Sequence, residues 1–149
     1  MKPKLLISAC LCGKNTKYSG GNNLIPEIEK IKEYFELYLV CPEVDGGLTT
    51  PRNPSEQLGD TVVSNQGVDV THEFNLGAKI SLDVVKKNNI KYALLKESSP
   101  SCGSNLIYDG TFTGKKISGM GVAAKLLKDN DVLVFSENEI EKLLKIIGA

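Results

Sequence analysis

Four short apolar runs, separated by stretches of helical periodicity, leave this chain few folds to choose from. Lys4–Cys10, Leu37–Cys41, Tyr92–Leu95 and Val132–Phe135 each have the length and composition of a buried strand. Between the first two, Ile28, Ile31 and Phe35 recur at i, i+3, i+7 behind Pro26, the pattern of an amphipathic helix. Phe74, Ala78, Ser81, Val84 and Val85 line one face of a second helix, with Thr71 as its expected N-cap and an end near Asn88-Asn89. A third is predicted over 121–128, and the capping box Ser136-Glu137-Asn138-Glu139 launches a last one with Ile140, Leu143, Leu144 and Ile147 inward. Strands alternating with helices predict a single α/β domain over residues 1–149. Its sheet is mainly parallel and twisted, with helices on both faces, Rossmann-like or flavodoxin-like. Leu6, Leu39, Leu94 and Leu133 are then expected deep in the core. Small hairpins are expected where Thr61–Ser64 and Val68–Val70 flank Asn65-Gln66-Gly67, and about Asp109-Gly110 as a type I′ turn.

Charge and composition narrow the function classes. Eighteen basic residues balance eighteen acidic ones, so no net field draws the chain to nucleic acid or an anionic membrane. No apolar run approaches the roughly 20 residues of a membrane helix. The Leu5-Leu6-Ile7 run stops at Ser8, too short for a signal peptide, so a cytoplasmic location is expected. Thiols stay reduced there, and four cysteines point to metal binding or catalysis before disulfides.

Three of those cysteines share a placement. Cys10 ends the first run, Cys41 ends the second, and Cys102 follows the third within Lys96-Glu97-Ser98-Ser99-Pro100-Ser101-Cys102-Gly103-Ser104. That segment is turn chemistry, with Pro100 fixing one φ, so it presents a thiol in a polar loop. Ligands of parallel α/β sheets bind outside the carboxyl ends of the strands, and this topology brings Cys10, Cys41 and Cys102 to one rim. Converging thiolates repel unless a cation or cluster neutralises them. Three cysteines with an open position suit a catalytic zinc, or an iron–sulfur cluster with one iron free for substrate. A structural zinc would need a fourth ligand, from Cys12 or from His72, the only histidine. His72 reads as a surface residue at a helix start. Cys12 fits three roles: a spare ligand, a resolving thiol, or a stand-in for an apolar residue. The competing reading is that the thiols are unrelated, since no CxxC pair fixes ligand spacing. Glu43, two residues past Cys41, is either a proton shuttle or a solvated loop charge, and Ser101, beside Cys102, either donates a hydrogen bond to substrate or sulfur or satisfies the loop backbone.

Ser8-Ala9-Cys10-Leu11-Cys12-Gly13, Cys41-Pro42-Glu43-Val44 with Gly46-Gly47-Leu48 and Pro51-Arg52, and Lys96 through Gly103 together resemble the thiouracil desulfidase family. Ile107–Phe112 and Gly119–Val122 extend the resemblance over nearly the whole chain. It implies a [4Fe-4S] cluster held by Cys10, Cys41 and Cys102, whose fourth iron binds the sulfur of a thiolated pyrimidine. It also implies Glu43 and Ser101 as the catalytic pair, with Glu43 handling protons. The chain departs from the family pattern at Cys12, where leucine is usual. The expected activity is non-redox desulfuration of a small-molecule thiolated base such as 2-thiouracil. The competing functions are desulfuration of thiolated nucleosides in RNA, a non-catalytic iron–sulfur or zinc module, and a persulfide carrier.

Overall fold

In the computed structural model, which describes residues 2–149, the chain runs β1 (Lys4–Ser8), α1 (Ile28–Tyr34), β2 (Glu36–Val40), α2 (Pro42–Asp45), β3 (Ser55–Leu58), β4 (Thr61–Ser64), α3 (Thr71–Asn88), β5 (Tyr92–Leu95), β6 (Leu106–Tyr108), β7 (Lys116–Ser118), α4 (Val122–Asp129), β8 (Leu133–Ser136) and α5 (Ile140–Ile146). The four apolar runs pair in the order β2-β1-β5-β8, all parallel. The chain leaves β1 toward β2 on one side, then returns to β5 on the other. Connections therefore diverge between β1 and β5, the kind of switch point that opens a crevice at strand ends. The expected α/β architecture is the one observed.

Side chains alternate across the sheet and build two cores. Leu5, Ile7, Leu94 and Phe135 pack with Ile28, Ile31 and Phe35 around α1 and with Ile140 and Leu143 of α5. Leu6, Ala93 and Leu95 face the opposite way, against Val85 of α3 and Ala124 and Leu127 of α4. Leu6 and Leu94 are fully buried as expected, but Leu39 and Leu133 are 41% and 50% exposed. Both lie on edge strands, where no neighbouring strand covers the outer flank.

Local details also differ from the expectation. The turn at Asn65–Gly67 forms, yet its return arm makes only an isolated Val63–Asp69 bridge, and the ladder partner of β4 is β3. Strand β3 reads Ser-Glu-Gln-Leu, a poor strand former, so its sequence concealed it. The Asp109-Gly110 turn does not close a two-residue hairpin; β6 pairs with β7 across the longer turn 109–115. Glu56 Oε1 accepts the N–H groups of Gly110 at 3.0 Å and Phe112 at 3.1 Å, which draws that stretch off the ladder. Thr71 is the first residue of α3 and not its N-cap; its hydroxyl accepts the Val62 N–H at 2.9 Å. The capping box at Ser136 and Glu139 is present.

Two glycines set how the helices meet the rim. A Cβ on Gly77 of α3 would overlap the Pro42 carbonyl, and one on Gly121 would overlap the backbone of Ser101. So α2 lies backbone-to-backbone on α3, and the start of α4 seats directly on the loop after β5. The opening N–H groups of α4 find partners there: Val122 donates to Pro100 O, and Ala123 and Ala124 to Ser101 O, at 2.9, 2.9 and 3.1 Å. Among the described residues no helix is long and apolar enough to cross a membrane.

The two kinds of leucine separate in a denaturation series. Leu6→Ala and Leu94→Ala are each expected to cost about 2–5 kcal/mol, whereas Leu39→Ala and Leu133→Ala cost about 1 kcal/mol or less. Equal losses at all four positions would contradict the edge assignment of β2 and β8.

Candidate functional site

Where β1, β2 and β5 end, their loops enclose a cavity of about 600 Å³ whose wall includes Cys10, Cys41, Cys102, Glu43 and Ser101. All five site residues expected from sequence therefore meet at one place. Cys12 does not line that cavity; it packs against the core beneath α1, the position of an apolar residue. His72 is exposed on the first turn of α3 and is also absent from the wall.

Each thiol is positioned by a different local device. Cys10 sits in a 3-10 turn, Ala9–Cys12, which Gly13 ends at φ 89°, and its carbonyl accepts the Asn23 N–H at 3.0 Å. Cys41 is the N-cap of α2, the single helical turn formed by Pro42–Asp45. Proline is well suited to a first helical position, which lets this stretch close a helical turn. Cys102 hangs from a loop folded around Glu97, which is 8% exposed. Glu97 Oε1 accepts backbone N–H groups from Ser98, Ser104, Asn105 and Leu106, each at 3.1 Å, while Oε2 takes the side chains of Ser104 and Asn105. Burial pushes this carboxyl up, but the N–H donors of Asn105 and Leu106 and their companions outweigh it and hold it below the usual range.

Glu43 lies at the centre of a second network. Its Oε1 accepts Arg52 Nε at 3.1 Å and its Oε2 accepts Ser101 Oγ at 3.0 Å. Because Ser101 gives its proton to Glu43, the 3.0 Å contact between Ser99 Oγ and Ser101 Oγ must be donated by Ser99. Ser99 Oγ in turn accepts the N–H groups of Ser101 and Cys102, at 3.2 and 3.1 Å. The direction of the hydroxyl chain, Ser99 to Ser101 to Glu43, is thus set by the backbone. Ser101 Oγ also reaches Cys102 Sγ at 3.6 Å. Arg52 further donates to the carbonyls of Thr49 and Thr16, at 3.2 and 2.9 Å, so it ties two rim loops to the carboxylate. The sequence reading gave Arg52 no role. The available signal was its rarity: it is the only arginine in the chain, beside many lysines, and a rigid guanidinium fork suits this multiple tethering.

The thiols feel one another. Burial raises all three; the Asn23 side chain eases Cys10, and the Val44 N–H and Arg52 ease Cys41. Cys102 is pushed up to about 12 by burial, against Ser8 and Ser101, with Cys10 and Cys41 adding like-charge repulsion. Such a site resists three free thiolates and calls for a cationic or covalent acceptor. Among the described residues no three His, Cys, Asp or Glu side chains form a compact metal-ion site. One more feature fits an anionic sulfur here: Thr16 Oγ1, on a residue of the cavity wall, is buried with no hydrogen-bond partner among the described residues.

The chain resembles known proteins over nearly its whole length. A family model described as 2-thiouracil desulfurase matches residues 5–139. The chain is 41% identical over 150 residues to Uncharacterized protein YbbK of Bacillus subtilis (strain 168), covering 94% of this chain and 99% of that one. It is also similar to a solved structure, that of the [4Fe-4S]-dependent thiouracil desulfidase TudS. The TM-score is 0.93 at 40% identity, with 98% of both chains covered.

Metal-free protein gives a direct check on the thiol environments. At pH 8 Cys102 is expected to alkylate more slowly than Cys10, Cys12 or Cys41, its rate still climbing with pH up to about 12 and rising at once when the chain unfolds, as peptide mapping would show. Cys102 reacting first would contradict its buried placement.

Proposed function

The chain belongs to the 2-thiouracil desulfurase family, and from that premise we propose that it desulfurates a thiolated pyrimidine such as 2-thiouracil at a [4Fe-4S] cluster. Cys10, Cys41 and Cys102 would hold the cluster, with Glu43 and Ser101 as the catalytic pair. The observation that carries this reading is the joint exposure of three thiols and one hydrogen-bonded Glu43–Ser101 pair to a single cavity. Cysteine thiols are the ligand type that an iron–sulfur cluster takes. The chain's own use of Cys12 in the core supports a cluster with only three protein ligands.

When bound, such a cluster supplies a sulfur-seeking Lewis acid that makes the ring carbon of a C=S group more electrophilic. The protein's side chains supply the rest. Glu43, held by Arg52 on one oxygen and Ser101 on the other, retains lone pairs that can take a proton from water. The hydroxide so formed adds to the ring carbon; as the carbon–sulfur bond breaks the added hydroxyl gives up its proton to become the carbonyl, and that proton and the one on Glu43 pass to the departing sulfur. One C=S and one water become one C=O and one hydrogen sulfide, with no net electron transfer. Once Glu43 carries a proton it no longer needs the one from Ser101, so the Ser101 hydroxyl, 3.6 Å from the Cys102 sulfur, is free to turn its proton toward charge developing in the cavity. Arg52 is a positioning residue: its Nε holds Glu43 Oε1 at 3.1 Å.

Sulfide release from 2-thiouracil by anaerobically prepared protein tests this. Glu43→Gln should slow release by about 10²–10⁴-fold while keeping iron. Ser101→Ala should slow it by about 10²–10³-fold, also with iron retained. Wild-type sulfide release by Glu43→Gln would end the proton-carrier assignment. Loss of iron together with activity in both variants would reduce the pair to loop architecture.

A further inference from the structure

Thr16 lies in the loop between β1 and α1, on the cavity wall beside Cys41. Its backbone carbonyl is fully engaged, accepting Arg52 Nη2 at 2.9 Å and Cys41 Sγ at 3.9 Å. Arg52 is itself tethered to Glu43 and to Thr49 and Thr50, so Thr16 is pinned in place. Against that background its hydroxyl stands out, because Oγ1 is sealed from solvent and has no partner among the described residues. Buried polar atoms are rarely left so, and each one asks for an explanation. The other such hydroxyl, on Ser81, does not border the cavity.

We infer that Thr16 Oγ1 is the hydrogen-bond donor reserved for the Cys41 sulfur in the metal-loaded site, which makes Thr16 a positioning residue for the cluster; the inference rests on the cluster reading above. In the thiol form the Cys41 S–H is directed at the Thr16 carbonyl. Ligation removes that hydrogen and leaves a sulfur that can only accept. The contact between the two residues then reverses, from S–H donating to the carbonyl to O–H donating to sulfur, and the orphaned hydroxyl gains its partner. The remaining ligands have comparable neighbours, Asn23 at Cys10 and Ser8 with Ser101 at Cys102; at Cys41 the Thr16 side chain already favours the thiolate, yet its hydroxyl closes no hydrogen bond to the thiol form. A donor on a ligand sulfur draws off electron density, which raises the reduction potential of the cluster and strengthens its retention.

Thr16→Val keeps the shape and deletes the hydroxyl, so it separates this role from a structural one. Thr16→Ser restores the donor. Three measurements suffice on anaerobically reconstituted and metal-free wild type and both variants: denaturation midpoint, rate of iron loss to a chelator, and midpoint reduction potential. Metal-free Thr16→Val is expected to be at least as stable as wild type, since it loses only an unsatisfied group. Loaded Thr16→Val should lose iron about tenfold faster or more, and its potential should move to more negative values. Thr16→Ser should track wild type in all three. Loaded Thr16→Val indistinguishable from loaded wild type would overturn the inference alone, as would a metal-free Thr16→Val that is destabilised. Wild type that takes up no iron would overturn the cluster reading, and this inference with it.

Discussion

Gathering three sulfurs, one on a buried and two on half-buried residues, on the wall of one cavity is the constraint to which the rest of the structure answers. A thiol at the position of Cys102 is held neutral up to about pH 12, and Cys10 and Cys41 each make its ionisation harder. Thiolates are nevertheless what a soft metal group requires. Such an arrangement is stable as a ligand set only when the scaffold keeps the sulfurs from relaxing apart. The parallel sheet does this by ending β1, β2 and β5 at one rim, on either side of the point where the connections diverge.

Rigidity at that rim comes from satisfied buried charge, not from apolar packing. Glu97 gathers four backbone N–H groups on one oxygen and fixes the loop that carries Ser99, Ser101 and Cys102. Arg52 and Glu43, with side chains only 8% and 14% exposed, join the loops after β1 and β2. Removing either member of such a pair would leave an uncompensated buried charge. The glycine contacts complete the frame: α2 rests on α3 at Gly77, and α4 rests on the Ser101 loop at Gly121, so the helices fix the loops without intervening side chains. A hydroxyl chain whose proton direction is set by backbone donors can persist only on a frame this firm.

The sheet, the two helical layers and the convergence of Cys10, Cys41, Cys102, Glu43 and Ser101 were legible in the sequence. Strand-end placement follows from topology once the apolar runs are found. The exposure of Leu39 and Leu133 was not legible, because an apolar run does not say whether its strand is central or at an edge. Strand β3 was missed because Ser-Glu-Gln-Leu is a poor strand former. The turn 109–115 was misread because it depends on Glu56, a carboxylate that contacts backbone groups more than 50 residues away in sequence, and no local pattern reports such a contact. Arg52 and Thr16 stayed hidden likewise: loop residues carry no periodicity, and their roles appear only when three loops are seen together.

Iron content after single cysteine substitution addresses the central claim most directly. Prepared without oxygen, wild-type protein and Cys12→Ala should each hold about four iron atoms per chain, whereas Cys10→Ala, Cys41→Ala and Cys102→Ala should each lose that complement. A full iron complement in any one of those three, or its loss in Cys12→Ala, would contradict the assignment of the cavity as a three-cysteine cluster site.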